Sequence, residues 1–151
     1  MDAVTSSFVA EHAEAGADCP TCGQLVKAYR RALTAAGART LIALHRYAGG
    51  QYASIPDLAR LRLRDVAHQG GYLTLGHYWG LIEEESRVRG DGGRAGWWRL
   101  TEFGHNFVTG ADSISRYAHV YDGVVQMFSG EMVGIRQSLG ASFNYDELMG
   151  R

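Results

Sequence analysis

The fold turns on Gly70-Gly71-Tyr72-Leu73-Thr74-Leu75-Gly76-His77-Tyr78-Trp79-Gly80-Leu81-Ile82-Glu83-Glu84. A short helical segment ends in Trp79-Gly80 and passes at once into a strand-like run, Leu81 to Glu85. A Gly/Arg-rich tip follows, Arg89-Gly90-Asp91-Gly92-Gly93-Arg94, and then a second strand, Trp97-Trp98-Arg99-Leu100. Thr101-Glu102-Phe103-Gly104 opens another helix, with Thr101 as its N-cap and Phe103 and Phe107 one turn apart. Alternation along the first strand separates Glu83 and Glu85 from Glu84, so these acids can pair with arginines on the neighbouring strand. One of the two adjacent tryptophans is expected in the core.

Upstream, Leu25, Tyr29, Leu33 and Ala36 fall at helical spacing, which predicts a helix over 24–36. Ala38 to Ala48 reads as a second helix, with Leu41, Ile42, Leu44 and Tyr47 apolar, His45 within it, and Gly49-Gly50 ending it. Gln51 to Ile55 fits a short strand. Asp57 to Gln69 reads as a helix, with Leu58, Leu61, Leu63 and Val66 apolar and Arg60, Arg62 and Arg64 between them. In Gly71 to Gly80, Leu75 and Trp79 should face the core with Tyr72 a turn earlier, leaving Thr74, His77 and Tyr78 outward.

Helix, short strand, two further helices, glycine-tipped hairpin and closing helix: from Ala38 to Gly110 the chain resembles a winged helix-turn-helix domain. It is similar to small winged-helix proteins of bacteria and their phages. The expected class is α+β. The winged-helix core would span 24–110 with an N-terminal helix, preceded by an arm at 1–23 and followed by a β-rich extension at 111–151. The resemblance implies a DNA-binding transcriptional regulator acting as a homodimer. The segment at 71–80 would enter the major groove of double-stranded DNA, with Thr74, His77 and Tyr78 at base edges. Arg87, Arg89 and Arg94 on the wing would hold phosphates, supported by Arg60, Arg62 and Arg64. Against this, the outward face of the recognition segment has no Arg, Lys, Asn or Gln, the usual bidentate readers of bases. The alternative is a winged-helix adaptor that binds protein.

Charge distribution agrees with the first reading. Residues 1–26 carry a net −4, residues 27–99 a net +6 and residues 100–151 a net −3. A basic middle between acidic ends is the pattern of a segment that meets polyanion. Lys27 is the only lysine, so arginine supplies nearly all of the positive charge.

Both cysteines lie in Cys19-Pro20-Thr21-Cys22-Gly23, which resembles the knuckle of rubredoxin-like and zinc-ribbon sites. Two thiolates at this spacing can grip one zinc ion, proline stiffens the turn, and glycine relieves strain after the second sulfur. A structural zinc ion needs four ligands and there is no second CxxC. Histidines, with His12 nearest, or the same cysteines of a second subunit could complete the set. A reduced thiol pair that caps the next helix is the alternative. A redox pair lacks the surrounding βαβ pattern.

After a linker at 111–116, Tyr117 to Tyr121, Asp122-Gly123 and Val124 to Phe128 predict a hairpin with a type I′ turn. Ser129-Gly130 suggests a second turn, and Met132 to Ile135 a third strand. Asn144 and Glu147 mark a terminal helix cap, with Phe143 and Leu148 placed for a hydrophobic staple. This extension is apolar enough to be a partner surface. No GxSxG, HExxH or phosphate-loop motif occurs, so an enzyme is not expected. No apolar run approaches the roughly 18 residues that span a bilayer, and the N-terminus lacks a secretory pattern; a cytoplasmic protein is expected.

Overall fold

A computed structural model of the chain describes residues 17–18, 25–26, 28–54, 75–85 and 97–151. The protein is α+β. Its strands are β1 (Ala17–Asp18), β2 (Leu25–Val26), β3 (Tyr29–Ala32), β4 (Ala53–Ser54), β5 (Ile82–Glu84), β6 (Trp97–Leu100), β7 (Ile114–Tyr121) and β8 (Val124–Val133). Its helices are α1 (Ala35–Ala48), α2 (Glu102–Thr109), α3 (Ile135–Leu139) and α4 (Tyr145–Leu148), with a 3₁₀ helix at Leu75–Trp79. The chain divides into two compact units, Met1–Ala32 with Ser115–Met132, and Leu33–Ile114 with Val133–Arg151.

The second unit is built around α1. Thr34 caps it, accepting a hydrogen bond from the Gly37 amide at 3.0 Å. Gly49, at φ 59°, ends it by donating to the His45 carbonyl. Ala38, Leu41, Ile42 and Leu44 are buried, and α1 packs on α2, α3, α4, β6 and the 3₁₀ helix. Strands β4, β5 and β6 form a three-stranded antiparallel sheet of order β4-β6-β5, with Ala53 opposite Trp98 and Ile82 opposite Leu100. Ala53, Leu81, Ile82 and Leu100 go into the core with Phe107 and Val108 of α2. Thr101 caps α2 as expected, accepting from Gly104 N at 3.0 Å, and its hydroxyl donates to the Gly80 carbonyl at 2.6 Å. A side chain at Gly104 would start 1.9 Å from the Leu81 carbonyl oxygen, so the close approach of α2 to β5 requires glycine. Tyr145 of α4 donates to the Val108 carbonyl at 2.6 Å, satisfying a buried backbone oxygen.

The first unit holds the short β1–β2 pair and a sheet of order β3-β7-β8. Asp122 (φ 51°) and Gly123 (φ 76°) supply the two positive angles of the expected type I′ turn between β7 and β8. Ala28, Ala118, His119 and Val120 are buried, and His119 Nε2 lies 2.6 Å from Ser129 Oγ.

Several expectations are corrected. Residues 24–36 are not one helix: Leu25–Val26 and Tyr29–Ala32 are strands, and β3 pairs with β7, Tyr29 opposite Val120. That distant pairing overrides a local apolar period. The helix starts at Ala35 and runs through Gly37, which Thr34 caps. Ser129-Gly130 is not a turn; Gly130, at φ 83°, lies inside β8 with the conformation of a glycine bulge. The third strand of this sheet is β3, and residues 135–139 are helical. Neither Trp97 nor Trp98 is fully buried; both are half-exposed, and Trp79 enters the core. The expected helix at 57–69, the upstream part of the expected recognition segment at 71–74 and the expected wing tip at 86–96 lie outside the described residues.

Candidate nucleic-acid interface

The described part of the recognition segment is the 3₁₀ helix, not an α-helix. Gly76 packs so closely on α1 that an added Cβ would meet Leu41 Cδ2 at 3.2 Å. Gly80, at φ 72°, turns the chain into β5. Trp79 is buried and Leu75 half-buried, in line with their expected inward positions. His77 is exposed and Tyr78 half-buried. Their rings are 4.3 Å apart, and His77 also lies 6.3 Å from the Trp98 ring. These aromatics form a continuous edge beside the sheet. Such an edge offers π-faces and one imidazole with donor or acceptor capacity.

On the sheet itself, Arg99 forms an ion pair with Glu83, its direct cross-strand partner, and its guanidinium stacks over Tyr52, 4.7 Å from the ring centre. The hydrogen bond that Arg99 donates to Glu83 is the main cause that pushes its guanidinium up from its ordinary value. One acid of the triplet thus engages an arginine of the neighbouring strand, as strand alternation predicts. Glu84 is exposed and Glu85 buried, so the triplet does not present three solvated charges.

Of the expected DNA-contacting residues, His77 and Tyr78 are described and adjacent. Arg60, Arg62, Arg64, Thr74, Arg87, Arg89 and Arg94 lie outside the described residues, as do the expected zinc ligands Cys19 and Cys22. The cysteine motif is bracketed by β1 and β2, which pair antiparallel with Asp18 opposite Leu25. Among the described residues no three His, Cys, Asp or Glu side chains gather as a metal site. Sequence reasoning did not single out Tyr52 or the His77–Trp98 proximity. The first depends on β4 meeting β6 and the second on the 3₁₀ helix meeting β6, which no local pattern encodes. No helix among the described residues is long and apolar enough to cross a membrane. No family model matches this chain, and neither curated proteins nor solved structures give a match.

Proposed function

We propose that the protein is a winged-helix DNA-binding regulator that acts as a homodimer. The observation that carries this reading is the strand order β4-β6-β5. A short strand after the first helix pairs with the far strand of the hairpin, and a capped helix follows at once. That arrangement holds a hairpin tip and the segment before it on one scaffold. Thr74, His77 and Tyr78 read base edges, while Arg87, Arg89 and Arg94 hold phosphates with Arg60, Arg62 and Arg64. The +6 charge of residues 27–99 supplies the sequence-independent part of the affinity. Cys19 and Cys22 hold a structural zinc ion; support comes from the CPxCG spacing, with paired strands flanking the motif in sequence. The remaining ligands then come from outside the described residues or from a second copy.

Binding to random-sequence duplex DNA across a salt series tests this reading. Affinity should fall steeply with salt, and Arg89→Ala with Arg94→Ala should weaken binding on every sequence and lower the salt slope by roughly two. An unchanged slope removes the wing from the interface. No binding at low salt removes the electrostatic basis of the proposal.

The second reading, a winged-helix adaptor for a protein partner, is favoured by one observation: β8 exposes Val124, Met127, Phe128 and Met132. A Phe128→Ser variant that binds DNA like the parent but loses a partner recovered by the parent would support the adaptor reading.

A further inference from the structure

His45 lies near the end of α1 and His105 on α2, and the centres of the two imidazole rings are 5.2 Å apart, with the rings tilted by 57°. His45 is half-buried, and its Nδ1 is enclosed without a hydrogen-bond partner. A buried imidazole nitrogen with no partner calls for an explanation, and an ion is one of the standard ones. The spacing supplies a second, independent indication. A metal bound by two imidazoles sits about 2.0–2.1 Å from each nitrogen and so roughly 3.2 Å from each ring centre; a tetrahedral angle then separates the centres by about 5 Å.

We propose that His45 and His105 form an open two-histidine site for a divalent transition-metal ion of the zinc, nickel or copper class, which clamps α1 to α2. The site is independent of the cysteine motif and of DNA binding. No third His, Cys, Asp or Glu joins the pair among the described residues, so water fills the remaining positions. Imidazole donors select these metals over magnesium and calcium, which take oxygen ligands. The charge of Arg151 acts on His45 and opposes a cation, although Asp146 lies 3.7 Å from the Arg151 guanidinium. Binding therefore rests on the metal–nitrogen bonds and not on a negative field. Burial, His105 and Arg151 together hold the His45 imidazole below its ordinary value, so protons compete little for it at neutral pH.

The test uses the full chain stripped of metal, with ring ¹⁵N spectra and thermal melts recorded against zinc chloride, nickel chloride and magnesium chloride. Zinc or nickel should shift the ring nitrogens of both His45 and His105, and raise the melting midpoint by about 5 °C when metal is in hundredfold excess over its dissociation constant. Magnesium should do neither. In His105→Ala, an exposed position, the His45 ring signals should no longer move, and the part of the midpoint shift due to this site should vanish. Any shift left over belongs to the cysteines. Ring signals unmoved by zinc and nickel in the parent would overturn the proposal. So would a His45 shift of equal size in His105→Ala, which would mean the two rings bind independently.

Discussion

The molecule's two three-stranded sheets wear the same surface chemistry and differ in what lies behind them. The sheet β4-β6-β5 carries the cross-strand pair Arg99–Glu83 and an arginine stacked on Tyr52. The sheet β3-β7-β8 carries Arg116–Glu131 and an arginine, Arg30, 4.4 Å from the Tyr117 ring centre. Yet the first sheet buries Ala53, Ile82 and Leu100 and packs β6 on two helices, whereas in the second β7 buries Ala118, His119 and Val120 while every residue of β3 is exposed and β8 shows four large apolar side chains to solvent. Cross-strand decoration does not tell a structural sheet from a display surface. Among the described residues, helical backing does.

The largest test of that difference compares two phenylalanines. Phe107 is 0% exposed and Phe128 47% exposed. Phe107→Ala should cost about 3–5 kcal/mol through lost burial and the cavity left behind. Phe128→Ala should move the denaturant midpoint by less than the equivalent of about 0.5 kcal/mol. A comparable loss from Phe128→Ala would mean that the second sheet is backed in solution and that the contrast fails.

Two glycines sharpen the same comparison at lower amplitude. Gly104→Ala drives a methyl into the Leu81 carbonyl, a backbone atom that cannot swing aside, and should cost about 2–3 kcal/mol. Gly130→Ala meets the Tyr117 ring at 2.9 Å, and a ring edge on an open sheet can move. The cost there, about 1–2 kcal/mol, comes chiefly from forcing φ 83° on an L-residue. Thermal melts that rank Gly130→Ala as the worse variant would show that the second sheet is the more rigid one.

The boundary between the legible and the illegible follows the same line. Caps and tight turns are local, so Thr101, Asn144, Gly49 and Asp122-Gly123 could be read from their neighbours alone, and each is found where expected. Strands β5 and β6 were legible because a hairpin pairs residues close in sequence, although the interior tryptophan is Trp79 and not Trp97 or Trp98. Tyr29–Ala32 was not legible. Its apolar residues sit at helical spacing, and its partner strand begins more than eighty residues later, so nothing nearby reveals that it pairs. At the candidate interface, the sequence placed His77 outward, but the ring cluster with Trp98 requires two segments to meet. The arginines of the wing, its strongest electrostatic feature, remain expectations drawn from charge and composition.

Within the helix-backed unit, His45 should give stability a pH dependence. Its folded-state value is depressed, mainly by burial and then by His105 and Arg151. The unfolded chain therefore takes up the proton first as pH falls. Stability is full above about 6.5, the ordinary imidazole value, and declines as pH drops through the depressed one. Urea midpoints measured with chelator present from pH 7.5 to 5.5 should fall less steeply in His45→Phe than in the parent. Equal slopes would show that His45 gains no net penalty from its surroundings.

The smallest expected effect bears most directly on the opening comparison. Arg99 and Glu83 are 42% and 45% exposed, and Arg116 and Glu131 are 49% and 62% exposed, so water and salt screen both pairs. Each arginine also rests on a tyrosine face, and that contact depends on packing more than on charge. Arg99→Gln and Arg116→Gln should therefore leave the melting midpoint unresolved from the parent at physiological salt, even though Arg99 belongs to the backed sheet. Lowering the salt should separate both variants slightly from the parent, and by similar amounts. If Arg99→Gln alone destabilised, its ion pair would belong to the structure of that sheet. The distinction between the two sheets would then extend to their outer faces and would not be confined to the helices behind the first.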